Sequence, residues 1–324
     1  MKKVFTFLLI CALSLCGAIG LTACGGNVGG EKDITVVARD QGSGTREAFD
    51  RVVTDGNGNF LEMKVDGKTV YKTTSKASLL KETGYVMSMV ARDKNAIGYI
   101  SLGSVNDTLK VVTVNGVMPS AATVLDGTYA IQRPFVIMTS SKTTLNEITT
   151  DFLLYLKSEA SKTHADATGC IYLSNPEQRA NAGETPIEVE TYTVKSSLPS
   201  GGKISINGST SMEKFIKAAM SGYAKLYGKT ADELFYIDLQ GSSVGKTAVK
   251  NDKNGNVIGL SSTAVKEDGI NSFNVALDAV AVVVNKANTT VNNLTLEQLY
   301  GIFTGKITKF SEVAEKAESS DETL

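Results

Sequence analysis

Four times in this 324-residue sequence a short apolar run gives way to a cluster of glycine, serine and threonine. Ile34 to Ala38 leads into Arg39-Asp40-Gln41-Gly42-Ser43-Gly44-Thr45, and Lys203 to Ile206 leads into Asn207-Gly208-Ser209-Thr210-Ser211. Phe235 to Leu239 leads into Gln240-Gly241-Ser242-Ser243-Val244-Gly245, and Val257 to Leu260 leads into Ser261-Ser262-Thr263. Short apolar runs bounded by turn residues are the pattern of buried strands. Helical spacing follows the first loop, with Ala48, Phe49, Val52 and Val53 on one face, and the second, with Met212, Phe215, Ile216, Ala219 and Tyr223. Strands alternating with helices predict an α/β fold.

The intervening segments fit the same class. Asp66-Gly67 and Asn115-Gly116 sit between apolar residues as hairpin turns. Residues 76–91 read as a helix, 96–100 as a buried strand, 135–138 as another strand and 145–161 as a helix. Residues 174–202 are polar, hold three of the five prolines, and read as a long surface connection. Val275 to Asn285 is nearly all apolar, as a strand buried on both faces would be. A helix over 294–303 is expected to stop near Gly305, and the acidic tail from Glu312 to Leu324 lacks an apolar pattern and is expected to be partly loose.

The N-terminus reads as a targeting segment. Lys2 and Lys3 precede an apolar stretch from Val4 to Gly20, and Leu21-Thr22-Ala23-Cys24 closes it. That pattern is a secretory signal with a lipobox, which predicts cleavage after residue 23, a diacylated Cys24 and a Gly-rich tether over 24–32. Cys11 and Cys16 leave with the signal, so Cys170 alone remains and the exported domain has no internal disulfide. A net charge of −1 without a basic run points away from nucleic acid. Gly241 to Thr247 ends like a nucleotide-binding P-loop but has three residues between its glycines where four are needed. The single histidine, His164, lies on the polar side of a helical stretch. No cysteine–histidine spacing suits a metal, and no Gly-x-Ser-x-Gly elbow marks a hydrolase. Nothing calls for a cofactor or argues for an enzyme.

The loops suit an oxyanion. The first N–H groups of a helix have no internal partners and lie at the positive end of its dipole, and glycines let backbone approach a ligand. Arg39 adds a forked, permanent charge. Each loop also has a plain structural reading, since small hydroxyl residues cap helices and Thr210 with Glu213 fits a capping box.

Arg39 to Thr45, Ala96 to Gly103, Gly208 to Met212, Gly241 to Gly245, Ala276 to Asn285 and Tyr300 to Ile307 together resemble signature segments of the phosphate-binding lipoproteins of phosphate ABC transporters. The resemblance implies a type II periplasmic-binding-protein-like fold: two α/β lobes joined by crossing strands, with the ligand in the cleft. The order differs from the usual family pattern, in which the Gly-Ser-Thr-Ser loop comes first and the Gly-Ser-Gly-Thr loop follows Ile-Phe-Thr-Gly. The chain thus looks circularly permuted, with the 174–202 connection joining the old ends. Carried onto this order, one lobe takes 33–131 and 280–324, and the other takes 132–279.

The resemblance further assigns Arg39, Ser43, Gly44 and Thr45 to the anion from the first lobe. From the second it assigns Thr210, Ser211, Ser242, Ser243 and Ser262. Some relatives place an aspartate where Ser262 aligns, to accept the proton of HPO4. Sulfate lacks that proton, so a buried acceptor rejects it. Here Asp278, at the crossing, is the candidate acceptor. The implied partners are inorganic phosphate, permease subunits and a membrane reached through the lipid anchor alone, with the protein a monomer. The alternatives are another oxyanion such as sulfate, molybdate or tungstate, or a secreted phosphoester hydrolase.

Overall fold

The computed structural model describes residues 31–180 and 185–314. The signal segment, Cys24 and most of the acidic tail fall outside those residues. The chain opens with β1 (Thr35–Arg39), whose last four residues are buried, and α1 (Gly44–Asp50), which starts where the Ser43 hydroxyl accepts a bond from Arg46 N–H. A hairpin of β2 (Glu62–Val65) and β3 (Lys68–Tyr71) turns through Asp66 and Gly67, both at positive φ. The stretch read as a helix from residue 76 divides. Ser78–Leu80 is strand β4, drawn into parallel pairing with Val37 to Arg39, and α2 (Thr83–Arg92) begins only after it. Sheet pairing here overrides the local helical pattern. There follow β5 (Ala96–Ser101), buried throughout, β6 (Leu109–Val114) and α3 (Ala121–Leu125). Asn115 and Gly116 do make a tight turn at positive φ, but beyond it only a single bridge, Val114 to Val117, forms.

The chain then crosses on β7 (Gln132–Ser140) and continues through α4 (Glu147–Lys157), α5 (Lys162–Ala167), β8 (Ile171–Tyr172) and α6 (Pro176–Arg179). After the connection come β9 (Ile204–Gly208), α7 (Glu213–Leu226), α8 (Ala231–Leu234), β10 (Phe235–Asp238), α9 (Ser242–Lys250) and β11 (Val257–Ser261). Strand β12 (Ile270–Asn285) returns across 16 residues, and α10 (Leu296–Thr304) ends at Gly305 in a left-handed cap.

The two lobes repeat one plan. In the first, parallel β4, β1 and β5 lie side by side and are followed by the antiparallel second half of β12. In the second, parallel β10, β9 and β11 are followed by antiparallel β7. Each lobe therefore borrows a central strand that arrives from the other. The crossing strands pair with one another, Asp278 opposite Arg133 and Ala279 opposite Gln132. One core gathers Val36, Phe49 and Tyr99 with Val282, Leu299 and Phe303, and Phe49 stacks on Tyr99 at 4.0 Å between centroids. The other gathers Phe135, Phe152, Ile206, Phe215 and Leu260. Burying a phenylalanine of this kind holds a core by about 3–5 kcal/mol against alanine.

Two long-range ties join segments far apart in the chain. Thr308 O accepts from Ile34 N–H at 2.8 Å and Lys309 pairs with Asp33 at 2.8 Å, so the segment after α10 lies against the residues that lead into β1. The polar connection is pinned by Asp151, whose Oδ2 accepts from the hydroxyls of Tyr192, Tyr223 and Tyr227 at 2.9, 2.8 and 3.0 Å. Among the described residues no helix is long and apolar enough to cross a membrane.

Candidate functional site

All strand-end hydroxyl loops meet between the lobes, and Arg39 is at their centre. It terminates β1 and is 1% exposed. Its Nε donates to Leu80 O at 3.1 Å, Nη1 to Thr45 and Thr83 Oγ1 at 3.4 and 3.2 Å, and Nη2 to Thr210 Oγ1 at 3.1 Å and to Lys81 O. A guanidinium has five N–H groups, and all five find acceptors here, three of them hydroxyls. Burial lowers its pKa from 12.5 to about 10, a fall opposed by the phenol of Tyr99 and assisted by the nearby charge of Arg133. It stays cationic at neutral pH.

Hydroxyls from both lobes interlock around this arginine. Thr45 and Ser211 lie 2.8 Å apart across the cleft, and Thr83 and Thr210 3.2 Å apart. Ser209 donates to Ser262 at 2.9 Å, Ser242 and Ser262 lie 3.4 Å apart, and Ser262 N–H donates to Ser242 Oγ at 3.1 Å. Seven hydroxyls thus share four hydroxyl–hydroxyl bonds, each using one hydrogen, which leaves three hydrogens without a hydroxyl to receive them. None of the seven bonds a carboxylate. The cluster is a buried set of surplus donors beside a cation, and such a set takes an anion rich in acceptors.

Gly44 shows how closely the lobes meet. A Cβ there would lie 2.6 Å from Ser262 Oγ and 2.7 Å from Ser242 Oγ. Glycine is needed at this point because backbone from one lobe faces side chains of the other directly. At the rim, the N–H and hydroxyl of exposed Ser243 both reach Gly42 O at 3.4 Å.

Eight of the ten residues expected to bind the anion belong to this junction: Arg39, Gly44, Thr45, Thr210, Ser211, Ser242, Ser243 and Ser262. Ser43 holds the start of α1, and Ser243 lies at the edge. Asp278 has other partners. Its Oδ2 accepts from Arg133 Nε and Nη2 at 3.0 and 2.8 Å, and its Oδ1 accepts from Ser101 Oγ at 2.8 Å. Burial pushes the Asp278 carboxyl up, and Arg133 pulls it back. The capping box expected at Thr210 does not form. Ser209 caps the turn instead, and Glu213 pairs with Lys217, which frees Thr210 for Arg39. His164, expected on the surface, is half-buried with its Nε2 2.6 Å from Tyr155 Oη.

Thr83 and Ser209 were not singled out by sequence reasoning. Ser209 sits inside a recognised loop. Thr83 follows strand β4 and opens α2, the same strand-end pattern as the other loops, and it was hidden because 76–91 reads as one helix. Among the described residues no group of three or more histidine, cysteine or acidic side chains could hold a metal.

The profile of the PBP superfamily domain matches residues 193–322. The chain is 32% identical over 321 residues to phosphate-binding protein PstS 2 of Streptococcus pneumoniae, covering 96% of this chain and 99% of that protein. It is 31% identical over 320 residues to PstS 2 of Streptococcus agalactiae, covering 97% and 100%. A crystal structure of a phosphate ABC transporter phosphate-binding protein from Streptococcus pneumoniae superposes with a TM-score of 0.61 at 32% identity, over 87% of this chain and 99% of the other.

Proposed function

The chain belongs to the family of PstS phosphate-binding proteins, and from that premise we propose that it captures inorganic phosphate between its lobes and delivers it to an ABC permease. One observation carries the reading: Arg39 from the first lobe and hydroxyls from both lobes converge in one buried cluster with hydrogens to spare. A phosphate oxygen accepts more strongly than a hydroxyl, so it competes for the three guanidinium hydrogens now spent on Thr45, Thr83 and Thr210. Those hydroxyls then turn their own hydrogens to the anion. Burial keeps water from screening the exchange. The ligand residues are Arg39, Ser43, Gly44, Thr45, Thr210, Ser211, Ser242, Ser243 and Ser262. Asp278 acts with Arg133 to fix the crossing strands and is not a ligand.

The lobes comprise 33–131 with 280–324, and 132–279. The protein is a monomer held to the outer face of the membrane by lipid on Cys24. No chemistry on the ligand is proposed, because the hydroxyls bond one another and Arg39, and the one histidine is bound to Tyr155. We also read the segment order as a circular permutation of the usual family pattern. The contact of Thr308 and Lys309 with Asp33 and Ile34 supports this, since it rebuilds in space the order in which Ile-Phe-Thr-Gly precedes Gly-Ser-Gly-Thr.

A second reading, a binding protein less selective among tetrahedral oxyanions, is favoured by Ser262. It receives a hydrogen from Ser209 and stands where a carboxylate would reject sulfate. Calorimetric titration of the delipidated domain with phosphate and then sulfate separates the two. Heat from phosphate alone supports the first, equal affinities support the second, and absence of phosphate binding refutes the proposal.

A further inference from the structure

We infer that Thr83 is a further affinity-determining residue of the anion site, supplied by the first turn of α2. This inference rests on the phosphate-binding reading above. Thr83 is 5% exposed, and its Oγ1 lies 3.2 Å from Arg39 Nη1 and 3.2 Å from Thr210 Oγ1. It thus closes a triangle with Arg39 of its own lobe and Thr210 of the other, which also bond each other directly. The hydrogen count makes the contact directional. Thr83 and Thr210 each accept from a guanidinium nitrogen, and only one hydrogen is used between them. Whichever hydroxyl donates to its neighbour, the other keeps a free hydrogen at the same place.

The surroundings leave that hydrogen for a ligand. Glu82, in the capping position of α2, makes no side-chain cap bond. Both hydroxyl residues line a cavity of about 250 Å3, together with Glu82, Gly84, Glu213 and Lys217. Thr83 and Thr210 thus border open space beside the cationic Arg39. Removing the Thr83 hydroxyl therefore costs an anion contact, releases one hydrogen of Arg39 and leaves Thr210 with Arg39 as its remaining cross-lobe partner.

The test compares Thr83→Val, Thr83→Ser and Thr83→Ala with the wild type by phosphate calorimetry, with melting in phosphate-free buffer as a check on folding. Thr83→Val keeps the side-chain volume and is expected to weaken phosphate binding by about tenfold, the loss of one hydrogen bond to a charged group. Thr83→Ser keeps the hydroxyl and restores affinity to within about threefold, which a packing role would not predict. Should Thr83→Val fail to fold, Thr83→Ala against Thr83→Ser makes the same comparison. Thr83→Val/Thr210→Val should bind little more weakly than Thr210→Val alone, because the pair acts as a unit. Wild-type affinity in Thr83→Val or Thr83→Ala, or a serine variant as weak as either, overturns the role of Thr83 while leaving phosphate binding standing. No binding by the wild type overturns both.

Discussion

Replacing Gly44 with alanine should separate ligand affinity from stability. Gly44 is the first residue of α1, and its Cβ would meet Ser262 Oγ at 2.6 Å, Ser242 Oγ at 2.7 Å and the Ser262 carbonyl carbon at 3.1 Å. The first two distances are shorter than a Cβ tolerates. Both offending oxygens belong to the opposite lobe, so the clash exists only while the lobes are together. Rotating the serines away breaks the Ser209–Ser262 and Ser242–Ser262 bonds, at about 1 kcal/mol each. Parting the lobes instead weakens the bonds of Thr210 to Arg39 and Ser211 to Thr45. Either route costs about 1–3 kcal/mol, the usual range for overpacking, or roughly a 5- to 150-fold rise in Kd for phosphate. Within the helix, alanine is favoured over glycine by about 0.5–1 kcal/mol, so any fall in melting in phosphate-free buffer should be smaller than the loss of affinity. Calorimetry and thermal melting on the same sample read both quantities. Affinity within twofold of the wild type would refute the reasoning that this backbone position sets how closely the cleft shuts.

Further outcomes follow from the buried charges and the segment order. Asp50 is 1% exposed, with Oδ2 on Arg46 Nε at 2.9 Å and Oδ1 unpartnered among the described residues, and burial raises its pKa from 3.8 to about 6. Its stabilising contribution is therefore complete below about pH 4 and is lost as pH rises through 6. Urea unfolding at pH 4 and pH 7 should show Asp50→Asn gaining on the wild type by up to about 3 kcal/mol at the higher pH, and a pH-independent difference would contradict this. A chain whose residues 314 and 33 are joined by a short flexible linker, with new ends opened within 185–202, should fold and bind phosphate. Failure of that chain to bind, with the parent binding normally, would count against the permuted reading.

Much of the site was legible because its chemistry is local. A strand that ends in Gly-Ser-Gly-Thr or Gly-Ser-Thr-Ser announces exposed N–H groups and hydroxyls whatever lies around it, and Arg39 stands in the same loop. What the sequence could not convey is pairing across distance. Asp278 reads equally well as an anion contact or a turn residue until the register of β12 against β7 sets it opposite Arg133, 145 residues away. Thr83 was obscured for a related reason. Only the pairing of Ser78 to Leu80 with β1 breaks the apparent helix and turns Thr83 into a strand-end hydroxyl. The fold was clearer in its class than in its economy, since nothing in the apolar run of β12 tells that one strand serves both cores.

The three phenols on Asp151 give the long connection an uneven tolerance to mutation. Tyr192, Tyr223 and Tyr227 all donate to the same carboxylate oxygen. Any one of them can drift to phenylalanine and leave that oxygen with two donors. A change at Asp151 takes the shared acceptor from all three at once, leaving Tyr192 and Tyr227 only each other, 3.0 Å apart, and buried Tyr223 without its partner. A single tyrosine-to-phenylalanine change should therefore cost this joint less than any change at Asp151.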